Sequence, residues 1–141
     1  MALFDSETGK RRLLTVDIPV IERYNENRDA DYKIRIAKQG SGLLLSYRLK
    51  PMHNIYELET RLLSSYPAVA PDTRVVTPLK PSPHILEGQT LCLWRQGSSR
   101  HSSRWDPGQF TCVFAVQAAW RWLACYEVWV ATGEWPLPEA K

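Results

Sequence analysis

The chain has 141 residues, of which 44% are hydrophobic and 23% are charged, and its formal net charge is +3. These values fit a single soluble domain, residues 1–141, that can bury a hydrophobic core without disulfides or metal. The small net charge does not predict a nucleic-acid-binding protein.

The cysteine count and the apolar segments bear on the compartment. Three cysteines, an odd number without close pairing, are typical of a reducing environment. Residues 1–5 show no positive region followed by an apolar stretch, so we expect no secretory signal. The most membrane-like window, residues 111–131, contains Gln117, Arg121 and Glu127, which favours a buried helix over a membrane span. We therefore expect a cytoplasmic protein that binds no membrane.

The first predicted element is a short helix over residues 14–27. Asp17 is a candidate cap for it, and Pro19 is compatible with a helix only in the first turn. Three segments with a period of two follow, which predict half-buried antiparallel strands: residues 32–36, 43–49 and 56–62. A glycine-containing turn at residues 39–42 predicts a hairpin between the first two strands.

Further along the chain the pattern becomes irregular. Residues 74–77 predict a fourth strand that ends at Pro78, because proline lacks a backbone donor. Residues 79–89 have no regular period and are interrupted by prolines, which predicts a surface loop. Residues 96–103 are rich in serine and polar residues, which predicts a flexible segment.

The last predicted element is a long helix that Asp106 and Pro107 open as cap and first residue. Its body, residues 110–130, is apolar almost all round, apart from a narrow stripe at Gln117 and Arg121. The helix must therefore be covered on most sides. This region holds four of the six tryptophans, which either pack the core or form a partner-binding surface: Trp120, Trp122, Trp129 and Trp135.

The candidate site is centred on Cys92, which lies in the short apolar run Leu91-Cys92-Leu93-Trp94. Tyr66-Pro67 with Pro71 and then Pro83-His84 precede the cysteine, and Trp105-Asp106-Pro107 follows it. A thiol in this irregular setting predicts one exposed nucleophile. Cys112 and Cys125 lie on the apolar helix, where we expect them to be buried.

These residues resemble the pattern of the ubiquitin-conjugating enzyme family. That pattern runs Tyr-Pro-x-x-x-Pro, His-Pro-Asn, a cysteine eight residues later, and Trp-x-Pro. The matching residues here are Tyr66, Pro67, Pro71, Pro83, Cys92, Trp105 and Pro107. Two residues depart from the pattern: Ser82 stands at the histidine and His84 at the asparagine.

The resemblance covers roughly residues 14–131 and implies an α/β (α+β) ubiquitin-conjugating fold. Its expected parts are an N-terminal helix, a four-stranded antiparallel meander, an active-site loop and a long C-terminal helix. Within the family, the Pro-His, Leu-Cys-Leu and Tyr126-Glu127-x-Trp129-x-x-x-Gly133-x-Trp135 features look most like the bacterial proteins of CBASS anti-phage operons.

For the stand-alone CBASS proteins, the resemblance implies a specific donor. The C-terminal glycine of a cGAS-like nucleotidyltransferase (CD-NTase) takes ubiquitin's part, or a ubiquitin-like protein does. Cys92 would form a thioester with this tail and pass it to a target lysine, which would regulate anti-phage defence.

The chemistry needs a thiolate, and a free cysteine with a pKa of about 8.5 is only slightly ionised at neutral pH. Five basic residues and one acid, Glu87, lie between residues 74 and 104, and four groups there could stabilise the anion: Arg95, Arg100, Arg104 and protonated His101. The three arginines would also attract the carboxylate-ended tail of a partner.

Two further residues have competing interpretations. His84 could hydrogen-bond the oxyanion or accept a proton, or it could organise the loop through backbone bonds. Asp106 could orient the attacking amine, or it could serve only as a helix cap.

Other functions receive less support from the sequence. No close-spaced cysteine and histidine ligands occur, so we expect no metal, and no glycine-rich phosphate loop or other cofactor motif occurs either. A papain-like hydrolase would have only His101 as its downstream histidine. The main alternative is a non-catalytic adaptor of the same fold that binds a conjugation partner. Cys92 argues against that alternative.

Overall fold

The computed structural model describes residues 6–93 and 105–137, and this part of the chain begins with a helical segment. Ser6 accepts a hydrogen bond from the Gly9 N–H and so starts helix α1 (Glu7–Arg12). A π-helical turn (Leu13–Asp17) leads into α2 (Ile18–Asn25), where Pro19 lies in the first turn. The predicted helix is therefore confirmed, but it starts seven residues early, at Glu7, and Asp17 does not cap it.

Within residues 6–93 and 105–137 the sheet has six strands in the order β1-β2-β3-β4-β6-β5, and every neighbouring pair is antiparallel. The strands are β1 (Arg35–Gln39), β2 (Gly42–Leu49), β3 (Tyr56–Leu62), β4 (Asp72–Val75), β5 (Ile85–Leu86) and β6 (Thr90–Leu91). The strands β2 and β3 lie where the alternation predicted them. The first strand starts later than predicted, because Ala30–Tyr32 form a 3₁₀ turn.

The sheet of the described residues contains more strands than the expected four-stranded meander. Residues 85–91, predicted as part of a loop and the run after it, form a short hairpin whose second strand pairs with β4. A left-handed Gly88 (φ 71°) lies within the 3₁₀ turn (Glu87–Gln89) that joins the two strands. The general α+β prediction is confirmed, with two strands more than expected.

The hairpin between β1 and β2 forms as predicted and depends on two glycines. Gly40 takes a left-handed conformation (φ 55°), and Gln39 pairs directly with Gly42. At Gly42 a Cβ atom would lie 2.1 Å from the Leu62 carbonyl oxygen, so the close approach of β2 to β3 requires glycine there.

The long helix α3 (Cys112–Thr132) packs against the inward-facing residues of β2 and β3, such as Leu45, Tyr47 and Leu58. It starts at Cys112, so the predicted start at Asp106-Pro107 is wrong. Asp106 instead closes a turn of its own, because its carbonyl accepts from the Phe110 N–H (2.9 Å) and its side chain from the Gly108 N–H (2.9 Å). No helix in the described part of the chain is both long and apolar enough to cross a membrane.

The four tryptophans near the C-terminus divide between the core and the surface. Trp122 is buried, Trp129 and Trp135 are partly buried against the core, and Trp120 is 45% exposed. Gln117 and Arg121 are exposed, as the narrow polar stripe predicted. The prediction that these tryptophans pack the core therefore holds for Trp122 and in part for Trp129 and Trp135, but not for Trp120.

Candidate active site

The two proline-containing motifs that flank the cysteine in sequence contact each other. The Trp105 Nε1–H donates to the Pro67 carbonyl (2.8 Å), and the Trp105 ring lies 6.0 Å from the Tyr66 ring. The Tyr66 hydroxyl donates to the Asp17 carboxylate (2.7 Å), and burial raises the pKa of Tyr66 far above its ordinary value. These motifs therefore form a rigid support that ties the approach to α3 to the first helical segment.

Cys92 directly follows β6 and is exposed, whereas its neighbours Leu91 and Leu93 are buried. The Leu93 N–H donates to the Leu91 carbonyl (3.0 Å) in a tight turn centred on Cys92, so the two leucines enter the core and the thiol stays exposed. The Cys92 N–H donates to the His84 carbonyl (3.1 Å), which continues the hairpin one step beyond the last paired residues. The backbone of the candidate nucleophile is thus held by a hydrogen bond.

The three thiols differ in their accessibility. Cys112 and Cys125 are buried, as predicted, and burial raises the pKa of both. Although Cys92 is exposed, its neighbours cover the sulfur enough that burial raises the pKa of this thiol as well. The stabilisation of the thiolate by the arginines around residues 95–104 stays a prediction, because those residues lie outside the described part of the chain.

His84 occupies an unusual backbone conformation beside Cys92. Its φ of 61° is left-handed, a region that histidine visits more readily than most residues. Its carbonyl accepts two hydrogen bonds, from the Cys92 N–H and from the Trp122 Nε1–H (3.0 Å). Trp122 lies on α3, so the long helix fixes the turn that in turn holds the cysteine.

The His84 imidazole packs against Trp135, with 5.0 Å between the ring centroids. Its Nε2 atom is buried and has no hydrogen-bond partner among the residues that the structure describes. His84 and Cys92 are joined through their backbones, which fits the interpretation of His84 as a residue that organises the loop, and its predicted catalytic role stays a prediction. Trp122 and Trp135 complete the group, and sequence analysis did not connect either of them with the histidine.

The loop that leads to His84 is held by side chains that sequence analysis also missed. The Gln89 side chain donates to the carbonyls of Val75 (2.8 Å) and Thr77 (2.9 Å) and accepts from the Leu79 N–H (2.7 Å). The Tyr126 hydroxyl accepts from the Lys80 N–H (2.8 Å). A glutamine and a tyrosine far apart in sequence give no local signal of this kind.

Arg95, Arg100, His101 and Arg104 lie outside the described residues. Asp106 is partly buried, and its side chain accepts from the Gly108 N–H within its turn.

Four of the C-terminal residues that looked most like the bacterial proteins have distinct structural roles. Tyr126 and Trp135 contact the loop that runs from Lys80 to His84, as described above. Glu127 is buried and accepts hydrogen bonds from the backbone N–H groups of residues 52–54 and from the Tyr56 hydroxyl (3.3 Å). Gly133 ends α3 in a left-handed conformation (φ 81°), so the chain reverses and carries Trp135 back to His84.

Fold and site together define a mixed α/β domain that presents one thiol at the end of a sheet, backed by a long helix. A family model described as "Type II CBASS E2 protein" matches residues 23–141. The chain therefore belongs to the Type II CBASS E2 protein family and to the CBASS anti-phage system. No curated protein matches the chain.

Proposed function

We propose that this protein is a ubiquitin-conjugating-like acyl transferase whose nucleophile is Cys92. The observation that carries the proposal is the exposure of Cys92 on a fixed backbone, while Cys112 and Cys125 are buried. Family membership supports a conjugation-type enzyme. The element order of helix, antiparallel sheet, cysteine loop and long helix supports the ubiquitin-conjugating fold.

In the proposed reaction, the Cys92 thiolate attacks an activated carbonyl at the C-terminal glycine of a partner tail. The activating group leaves with the bonding electron pair, and the tail remains on sulfur as a thioester. An amine, such as a lysine side chain of a target protein, then attacks the same carbonyl. The tetrahedral oxyanion collapses, the Cys92 thiolate leaves, and the amine loses its proton to a base. The product is an amide.

The donor that we propose is the C-terminal tail of a cGAS-like nucleotidyltransferase of the same system, with a ubiquitin-like protein as the alternative donor. Arg95, Arg100 and Arg104 would attract the carboxylate end of this tail and favour the thiolate. His101 and Asp106 are supporting candidates, His101 for the thiolate and Asp106 for orienting the amine.

His84 is the proposed group for the transfer step. Its imidazole would hydrogen-bond the oxyanion or accept the proton of the amine. The backbone bond between the Cys92 N–H and the His84 carbonyl keeps the two residues adjacent. The imidazole would have to turn away from Trp135 to reach the reacting carbonyl.

The experiment is affinity purification of the tagged protein from its native host, followed by mass spectrometry with and without thiol reductant. A reductant-sensitive adduct on Cys92 supports the proposal and identifies the donor. Partner binding without any such adduct indicates the non-catalytic adaptor instead.

A further inference from the structure

The position of the His84 side chain is set by ring packing rather than by hydrogen bonds to its Nε2. That atom is buried and lacks a partner among the described residues, whereas the ring lies 5.0 Å from Trp135. A buried polar atom without a partner is unfavourable, so another interaction must hold the imidazole in place. The contact with the Trp135 ring supplies such an interaction.

Trp135 also contacts Trp122, which is itself hydrogen-bonded to His84. Its ring lies 5.3 Å from Trp122 in an edge-on arrangement, and Trp122 donates to the His84 carbonyl. The same carbonyl accepts from the Cys92 N–H. Trp135 thus contacts both the side chain of His84 and the tryptophan that binds its backbone.

We infer that Trp135 is a positioning residue of the candidate active site, which acts on the Cys92 thioester through His84. This inference rests on the proposed function, since it concerns the step in which the acyl group leaves Cys92. The left-handed conformation of Gly133 after α3 reverses the chain and places Trp135 against His84. The segment after α3 therefore has a role at the candidate active site as well as in the fold.

The test compares Trp135→Ala, Trp135→Phe, His84→Ala and the double variant His84→Ala/Trp135→Ala, with Trp120→Ala as the matched control. Trp120 lies on α3, is 45% exposed, and has no ring contact or hydrogen bond with His84 or Cys92 in the described part of the chain. Each purified variant is loaded by exchange from the thioester of a synthetic peptide that ends in glycine. The rates of thioester formation on Cys92 and of discharge to free lysine are measured separately.

We expect Trp135→Ala to slow discharge about threefold to tenfold, which corresponds to the loss of one or two ring contacts, while thioester formation changes less. The double variant should be no slower than His84→Ala alone, because Trp135 acts through the histidine. Trp135→Phe should restore most of the rate. A discharge rate of Trp135→Ala equal to wild type, or losses that multiply in the double variant, would overturn the inference.

A second measurement separates this inference from the proposed function. Iodoacetamide labelling of Cys92, read by peptide mass spectrometry, needs no donor. Loosening of the His84 turn should uncover the sulfur and speed labelling about threefold in Trp135→Ala but not in Trp120→Ala. If wild type forms no thioester, the proposed function fails and the labelling ratio alone decides the role of Trp135. A ratio of one would refute it.

Discussion

The Asp17 carboxylate accepts a hydrogen bond from the Cys112 N–H (3.2 Å), so the first helical segment supplies the cap for the last helix. The same carboxylate accepts from the Tyr66 hydroxyl (2.7 Å) and forms an ion pair with Arg12 (3.3 Å). Asp17 is 1% exposed. A negative charge beside the first N–H groups of a helix is stabilising, and here it also joins three distant parts of the chain.

Replacement of Asp17 by alanine should therefore lower the free energy of unfolding by about 3–5 kcal/mol. Removal of one partner of a buried ion pair leaves the other charge and its hydrogen-bond donors unsatisfied. Urea unfolding followed by tryptophan fluorescence measures the change. The matched control is Glu22→Ala, an exposed acid of α2, for which we expect little change. A loss below about 1 kcal/mol for Asp17→Ala would contradict the structural role assigned to this carboxylate.

Glu127 should have a comparable role at the β2–β3 loop. Glu127→Gln removes the charge that receives the backbone N–H groups of residues 52–54, so we expect a loss of about 1–3 kcal/mol. Hydrogen exchange at those amides should accelerate. Glu134→Gln, an exposed acid just beyond α3, serves as the control. Unchanged exchange of the loop amides in Glu127→Gln would show that the carboxylate does not hold the loop.

The pH dependence of Cys92 reactivity should distinguish the effect of burial on the pKa of the thiol from the effect of nearby positive charges. Burial raises the pKa of this thiol, so by itself it confines the thiolate to a pH range above the ordinary cysteine value of about 8.5. Arg95, Arg100 and Arg104 act in the opposite direction if they surround the sulfur.

The labelling rate with iodoacetamide, measured against pH, should therefore have a lower midpoint in wild type than in a variant with all three arginines replaced by glutamine. In that variant the midpoint should lie above about 8.5. Equal midpoints would remove the arginines from the environment of the thiol. A variant midpoint below the ordinary value would contradict the effect of burial.

His84 can be tested with substitutions that separate its backbone from its imidazole. His84→Ala should slow transfer to the amine by about tenfold or more and leave thioester formation largely intact, because the imidazole acts at the oxyanion or on the amine proton. His84→Asn keeps a hydrogen-bond donor and tolerates a left-handed backbone, so it should retain more activity. His84→Gly tolerates the backbone conformation but has no side chain, and should be as slow as alanine. An unchanged discharge rate in His84→Ala would remove His84 from the mechanism.

Sequence patterns predicted the elements whose signal is local. The alternation in residues 43–49 and 56–62 located β2 and β3, and the apolar run after residue 110 predicted the long helix. The spacing of the Tyr-Pro, Cys92 and Trp-x-Pro motifs led to the family that the comparison identified.

The errors arose where distant residues decide the local structure. Asp106-Pro107 has the local signature of a helix start, but the helix begins at Cys112, where the cap is Asp17. The hairpin of β5 and β6 is too short for a periodic signal and forms because Thr90 pairs with Arg74 on β4. Likewise, no local pattern connects Trp135 with His84, since their contact depends on the reversal of the chain at Gly133.

The most direct test of the central claim is the mass of the tagged protein recovered from its native host, compared between wild type, Cys92→Ala and Cys125→Ala. Wild type and Cys125→Ala should both carry a protein tail through a bond that thiol reductant cleaves. Cys92→Ala should fold normally and carry none. Persistence in Cys92→Ala of an adduct that added thiol releases by acyl exchange would contradict the account.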